Sequence, residues 1–182
     1  EAVHRLRAER DAVLVGAGTL RADDPHLAVR GLDGVTQPLR VVLDPRAEVP
    51  LTARVLDDVA PTLVVVAEGT DAARLADAGV DVLAVPVGER GLDLAVLLTA
   101  LHARGVHSVL LEGGAHLAAS AVAADLVDEV VAHLAPALLG AGSPVLADAG
   151  ITTMPEALRL TTTDVARLGD DVAVTATVRR ER

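Results

Sequence analysis

The chain has no cysteine, no phenylalanine, tyrosine or tryptophan, and no lysine; its 16 basic residues are all arginine. The missing cysteines exclude disulfides, thiol catalysis and thiolate metal sites, and they fit a cytoplasmic setting. The missing aromatics mean that any flat ligand ring must pack on aliphatic side chains, guanidinium planes or backbone. A coding bias toward Ala, Val, Leu, Arg, Gly and Asp accounts for much of this composition. Positive charge is also scarce: the formal net charge is −10 at pH 7. A nucleic-acid partner is therefore not expected, because phosphate backbones need a basic surface. Apolar runs are broken by Gly, Pro or charge well short of a membrane span, and the opening "EAVHRLRAERD" is too charged for a signal peptide. What is abundant is apolar: 51% of 182 residues, ample for the core of one domain.

Short β-branched runs alternate with Ala/Leu/Arg segments of helical spacing. Val13–Val15, Arg40–Leu43, Leu63–Ala67, Val82–Val85, Val109–Leu111 and Val130–Leu134 read as strands. Most are continuously apolar, as strands covered on both faces should be. Glu1–Arg10, Asp71–Ala78, Leu92–Ala103 and Ala115–Ala124 read as helices, with Asp71 and Asp93 as caps or first-turn acids. Near the end, two alternating strands flank a turn at Leu168–Asp171 and read as a hairpin. The Pro/Gly clusters at Pro45–Pro50 and Gly140–Pro144 read as loops. The expected fold is one α/β domain, with a mixed, mostly parallel sheet flanked by helices and a C-terminal antiparallel hairpin.

Three strand ends carry the chemistry. In "VLLEGGAHLAAS" a strand runs into Glu112, then Gly113 and Gly114, then a helix. Glycine there lets the backbone bend and a ligand approach closely, and the helix's leading N–H groups suit an anion. His116 and Ser120 are four apart and share a helical face; Glu112 can accept from a ligand's amino or imino groups. A Gly-Gly turn is also an ordinary strand–helix connection, so this junction alone leaves both readings open. The second junction is "VLVGAGTLRADDPHLAVR". Gly16-Ala17-Gly18 with a later strand-end Asp44 allows a Rossmann reading, but no third glycine follows at the required spacing. Pro25 argues for a short turn over Thr19–Asp24 instead of a helix. Thr19, Arg21, Asp23, Asp24 and Arg30 make the segment a candidate ligand wall or a solvated loop. At the third, Arg46 follows a strand end, where a guanidinium suits a phosphate monoester; a surface arginine is the plainer alternative. The histidines show no metalloprotease spacing, no loop matches a calcium site, and no serine sits in a nucleophile elbow, so no metal site is expected.

Taken in order, "VHRLRAERDAVLVGAGTLRADDPHLAVR", "PLRVVLDPRAEVP" and "LLEGGAHLAASAVAADLVDEVVAHLAPALLG" resemble the reductase domain of the riboflavin-pathway pyrimidine deaminase–reductase family. That resemblance covers nearly the whole chain and implies a dihydrofolate-reductase-like fold. It implies NADPH-dependent reduction of the ribosyl group of 5-amino-6-(5-phosphoribosylamino)uracil to a ribityl group, by a cytoplasmic homodimer. Carried over, Arg7, Arg30 and Glu112 would hold the phosphorylated pyrimidine. Thr19, Asp23, Leu27 and Arg46 would meet the cofactor, with Gly113, Gly114, Ala115, His116, Leu117 and Ser120 around its phosphates. Rival readings are a related pyrimidine or pterin reductase and a non-catalytic NADPH-binding domain.

The chain departs from the family at three places. Ala115-His116 stands where Pro-Thr is usual, and Pro45 where a small polar residue is common, leaving Arg46 for the 2′-phosphate. The family's opening strand, with a lysine and a Ser-x-Asp-Gly pattern, and its deaminase domain lie outside these 182 residues.

Overall fold

A computed structural model describes residues 2–180. In chain order the elements begin α1 (Ala2–Ala8), β1 (Ala12–Gly16), α2 (Ala17–Asp23), β2 (Leu39–Leu43), a single 3-10 turn at Arg54–Leu56, β3 (Thr62–Ala67) and α3 (Ala73–Asp77). There follow β4 (Asp81–Val85), the two-residue strands β5 (Val87–Gly88) and β6 (Gly91–Leu92), α4 (Leu94–Ala103), β7 (Val109–Leu111) and α5 (Ala115–Ala123). The chain ends in β8 (Glu129–Leu134), β9 (Leu160–Leu168) and β10 (Asp171–Val178).

Five strands form an all-parallel sheet in the order β4-β3-β2-β1-β7. Successive side chains point to opposite faces, and both faces are covered. Ala12, Leu14, Val41, Leu43, Leu63 and Val65 pack with Leu94, Leu97 and Leu101 of α4 and Ala121 of α5. Val13, Val15, Val42, Val64 and Val66 pack on the other side with Leu20 of α2, Leu75 of α3 and the 47–55 loop. This double cover is why the strands read as unbroken apolar runs. Two polar side chains are buried with them, Arg40 and Asp44. Arg40 of β2 is fully buried and donates to Asp57 Oδ1 at 2.7 Å and to the carbonyls of Asp57 and Ala60, pinning the loop before β3.

The expected hairpin forms across Leu168–Asp171, but it pairs with β8 in a separate antiparallel sheet, β8-β10-β9. The outer side of β7 and the outer side of β8 have no strand partner among the described residues. α2 is a helix where a short turn was expected. Pro25 ends it without preventing it: Asp24 turns left-handed (φ 38°) and its N–H closes on the Leu20 carbonyl at 3.0 Å. Asp93 caps α4, accepting from the N–H groups of Ala95 and Val96, so that helix starts two residues later than its spacing implied. Leu92 belongs instead to the β5–β6 hairpin, which the sequence did not reveal. α1 spans Ala2–Ala8 within the expected Glu1–Arg10; Glu1 lies outside the described residues.

Candidate active site

From β1 the chain steps outward through β2, β3 and β4, then returns to place β7 on the other side of β1. That reversal opens a crevice at the carboxyl ends of the strands around β1, the place where open α/β sheets collect ligands. The two glycine junctions meet there. Gly113 and Gly114 both have positive φ (79° and 80°), which explains glycine at each. Thr19 of α2 packs against them: a Cβ on Gly113 would sit 3.3 Å from its Oγ1, and one on Gly114 3.4 Å. No side chain caps α5, so its leading N–H groups are met by no side chain.

A cleft of about 250 Å³ opens beside this point. Gly16 and Ala17 form its floor, Leu43 and Pro45 one flank, and Arg90, Gly91, Leu92 and Leu94 another; His116, Leu117 and Ser120 of α5 complete it. The Ser120 hydroxyl lies 3.0 Å from the His116 carbonyl and 3.1 Å from the Arg90 carbonyl, with one proton for the two. With no aromatic in the chain, a flat ring would rest on Leu43, Leu92, Leu117 and Pro45.

At the end of β7, Glu112 is held by a guanidinium fork. Arg7 donates from Nε to Oε1 and from Nη2 to Oε2, both at 2.7 Å, and from Nη1 to the Ala28 carbonyl at 3.2 Å. The two side chains are 12% and 20% exposed, which makes this a shielded ion pair. His4 lies three residues before Arg7 on the same face of α1. Its Nδ1 accepts from the Arg30 N–H at 3.1 Å. Burial, then the positive charges of Arg7 and Arg30, hold the His4 pKa below the ordinary imidazole value. α1 thus fixes the 24–30 loop at two points. Gln37 fixes it at a third, accepting from the Val29 N–H and donating to its carbonyl. These clamps hold Leu27 at φ 62°, an unusual conformation for a leucine, while its side chain is 1% exposed.

Of the expected residues, His116, Leu117 and Ser120 line the cleft; Thr19 packs on Gly113 and Gly114 beside it, where Ala115 begins α5, and the Arg7–Glu112 pair and the backbone at Arg30 lie by the end of β7. Leu27 shapes its loop from the core rather than presenting a surface. Asp23 is exposed on the last turn of α2. Arg46 is exposed, pairs with Glu48 at 3.0 Å and stays off the cleft wall, although its neighbour Pro45 is on it. Asp44, which the Rossmann reading needed, is buried and accepts from the Val49 N–H. His4, Gln37 and Arg90 were missed. For His4 a signal existed in its three-residue spacing from Arg7; Arg90, in a two-strand hairpin, carried none.

Residues 1–174 match the family described as the RibD C-terminal domain. The chain belongs to that family. It is 40% identical, over 97% of its length and 84% of the relative's, to the 2,5-diamino-6-ribosylamino-4(3H)-pyrimidinone 5′-phosphate reductase of Methanothermobacter thermautotrophicus. The reductase of the same name from Archaeoglobus fulgidus is 38% identical, with 98% and 84% covered. Among solved structures, RibD of Acinetobacter baumannii matches 98% of the chain with a TM-score of 0.84 and 32% identity, but only 49% of that protein, so the chain spans about half of it. As a RibD C-terminal domain, the chain is an oxidoreductase domain of riboflavin biosynthesis with a dihydrofolate-reductase-like fold, a family whose chemistry takes a nicotinamide cofactor. No helix among the described residues is long and apolar enough to cross a membrane.

Proposed function

We propose that the chain reduces the ribosyl group of 5-amino-6-(5-phosphoribosylamino)uracil to the ribityl product, with NADPH as hydride donor. The observation that carries this reading is the cleft beside β1, where an uncapped helix end faces a glycine-lined approach. The cradle fits a dinucleotide: a Cβ at Gly113 or Gly114 would crowd Thr19, and the leading N–H groups of α5 suit a pyrophosphate. Thr19, Ala115, His116, Leu117 and Ser120 would hold that part of the cofactor, which when bound supplies the hydride.

The chain's own residues position the second reactant. Glu112 presents a fixed carboxylate to the pyrimidine's amino and imino N–H groups. Arg7 orients it and so reaches the substrate through it. Arg30 has an exposed side chain with no ion pair among the described residues, which suits the 5′-phosphate. Catalysis is then chiefly the alignment of two bound reactants in a cleft with aliphatic walls. A homodimer is supported by the exposed apolar side chains Leu138, Leu139, Val145 and Met154 and by the unpaired edges of β7 and β8. The net charge of −10 supports a small-molecule substrate over a nucleic-acid partner.

The names of the 40% and 38% identical relatives favour a second substrate, the 2,5-diamino pyrimidinone, which carries an amino group where the uracil has an oxygen. The test is NADPH oxidation with each purified pyrimidine. Turnover of the uracil supports the proposal; turnover of the diamino compound alone replaces it with the second reading; turnover of neither removes both.

A further inference from the structure

We propose that Arg90 reads the 2′-phosphate of the cofactor and so sets the choice of NADPH over NADH; this rests on the nicotinamide-cofactor reading of the cleft. In a chain of net charge −10, the cleft wall carries no acidic side chain, and Arg90 is its one permanent cation. Its guanidinium pairs with no carboxylate among the described residues. Among the described residues it makes one hydrogen bond, from Nη1 to the Asp148 carbonyl at 2.6 Å. The Asp148 carboxylate is turned away, accepting from the Gly150 N–H at 2.7 Å. The exposed side chain passes close to Gly150, its Nη2 3.4 Å from where a Cβ on that glycine would sit. A guanidinium has five donors, so this one is anchored through a neutral acceptor with donors and full charge to spare.

Position points to the 2′-phosphate rather than the pyrophosphate. The Arg90 backbone abuts Ser120, five residues along α5 from Ala115. At 1.5 Å per residue, that is roughly 7 Å beyond the helix end proposed for the pyrophosphate. That puts the root of the Arg90 side chain, rather than its guanidinium, about one ribose's span from that end, from where the side chain can reach a 2′-phosphate. Arg46 is the competing cation, but it is exposed beside Glu48 and is not among the residues that line the cleft.

The experiment is calorimetric titration of the wild-type, Arg90→Ala, Arg90→Lys and Arg46→Ala proteins with NADPH, NADH and 2′,5′-ADP, after circular dichroism has shown each to be folded. No turnover is needed. Arg90→Ala should bind NADPH and 2′,5′-ADP roughly 10- to 100-fold more weakly and leave NADH within about twofold, since only a charge-assisted contact to the extra phosphate is lost. Arg90→Lys should recover part of that loss, and Arg46→Ala should resemble wild type. Unchanged NADPH affinity in Arg90→Ala, an equal loss for NADH, or discrimination lost in Arg46→Ala instead would each overturn the inference. Wild-type protein that binds neither dinucleotide would overturn the cofactor reading itself, a separate result.

Discussion

Replacing Glu112 by glutamine keeps the side chain's shape and removes its charge. In the folded protein both carboxylate oxygens accept from Arg7 at 2.7 Å. A glutamine can return only one acceptor; its amide NH2 must face the other guanidinium donor. With exposures of 12% and 20%, the pair lies between two regimes. Exposed pairs contribute about 0–1 kcal/mol, whereas removing one partner of a fully buried pair costs about 3–5 kcal/mol. An intermediate loss of about 2 kcal/mol follows, and for a chain of this length that lowers Tm by roughly 4–8 °C. The assay is a double-mutant cycle of Arg7→Gln and Glu112→Gln in urea and thermal melts, with NADPH titration and turnover measured in parallel. The cycle should show a coupling of about 1–3 kcal/mol. Turnover should fall in Glu112→Gln while NADPH affinity holds. Additive effects, within about 0.5 kcal/mol, would mean that the fork does not form in solution. A matched loss of NADPH affinity would move Glu112 to the cofactor's side of the site.

Gly16 has an ordinary extended backbone (φ −90°, ψ 158°), and a Cβ there would meet nothing nearer than Leu117 Cδ2 at 3.9 Å. Gly16→Ala should therefore melt like wild type yet weaken NADPH by placing a methyl on the cleft floor; unchanged affinity would detach the cofactor from that floor. Gly114→Val, at φ 80°, should instead cost stability by about 1–3 kcal/mol before any effect on binding, read as a drop in the urea midpoint. The lowered pKa of His4 gives a pH dependence of known sign. The unfolded chain binds this proton more readily, so the contribution of neutral His4 is complete above its ordinary value of 6.5 and declines as pH falls below it. His4→Asn, which can still accept from the Arg30 N–H, should flatten Tm across pH 7 to 5; an unaltered slope would show that His4 is not its source.

The parallel sheet was legible because burial on both faces erases alternation. Val13, Leu14 and Val15 face two different cores and must all be apolar. The terminal hairpin was legible for the opposite reason, since its strands alternate around a Gly-Asp turn. Alternation says that a strand has one covered face, but not which strand lies beside it. The pairing of β10 with β8, apart from the parallel sheet, therefore had no local sign. β5 and β6 are two residues each, too short for any period to register. At α2 the local rule was read too broadly: a proline bars a helix from running through it and ends one just before it, but the two turns that close at Asp23 lie clear of Pro25.

The site divides along the same line. The glycines at 113 and 114 could be read because their constraint is local: each needs a positive φ whatever lies elsewhere. Glu112 could be placed at a strand end, but its partner lies 105 residues away, and no spacing rule joins a helix at the start of the chain to that bend. The consequence is chemical. Read alone, Arg7 and Glu112 are two groups for the substrate; read together, they present one carboxylate whose direction a guanidinium sets. Arg46 shows the converse. Its place after β2 is a sound reason to expect an anion there, yet its side chain stands exposed beside Glu48, two residues on and off the cleft wall, while Arg90 reaches the cleft from a hairpin without a motif. Residue type and strand end fix which charges are near the crevice; which of them remain available for a ligand is decided by the pairs that the fold makes among them.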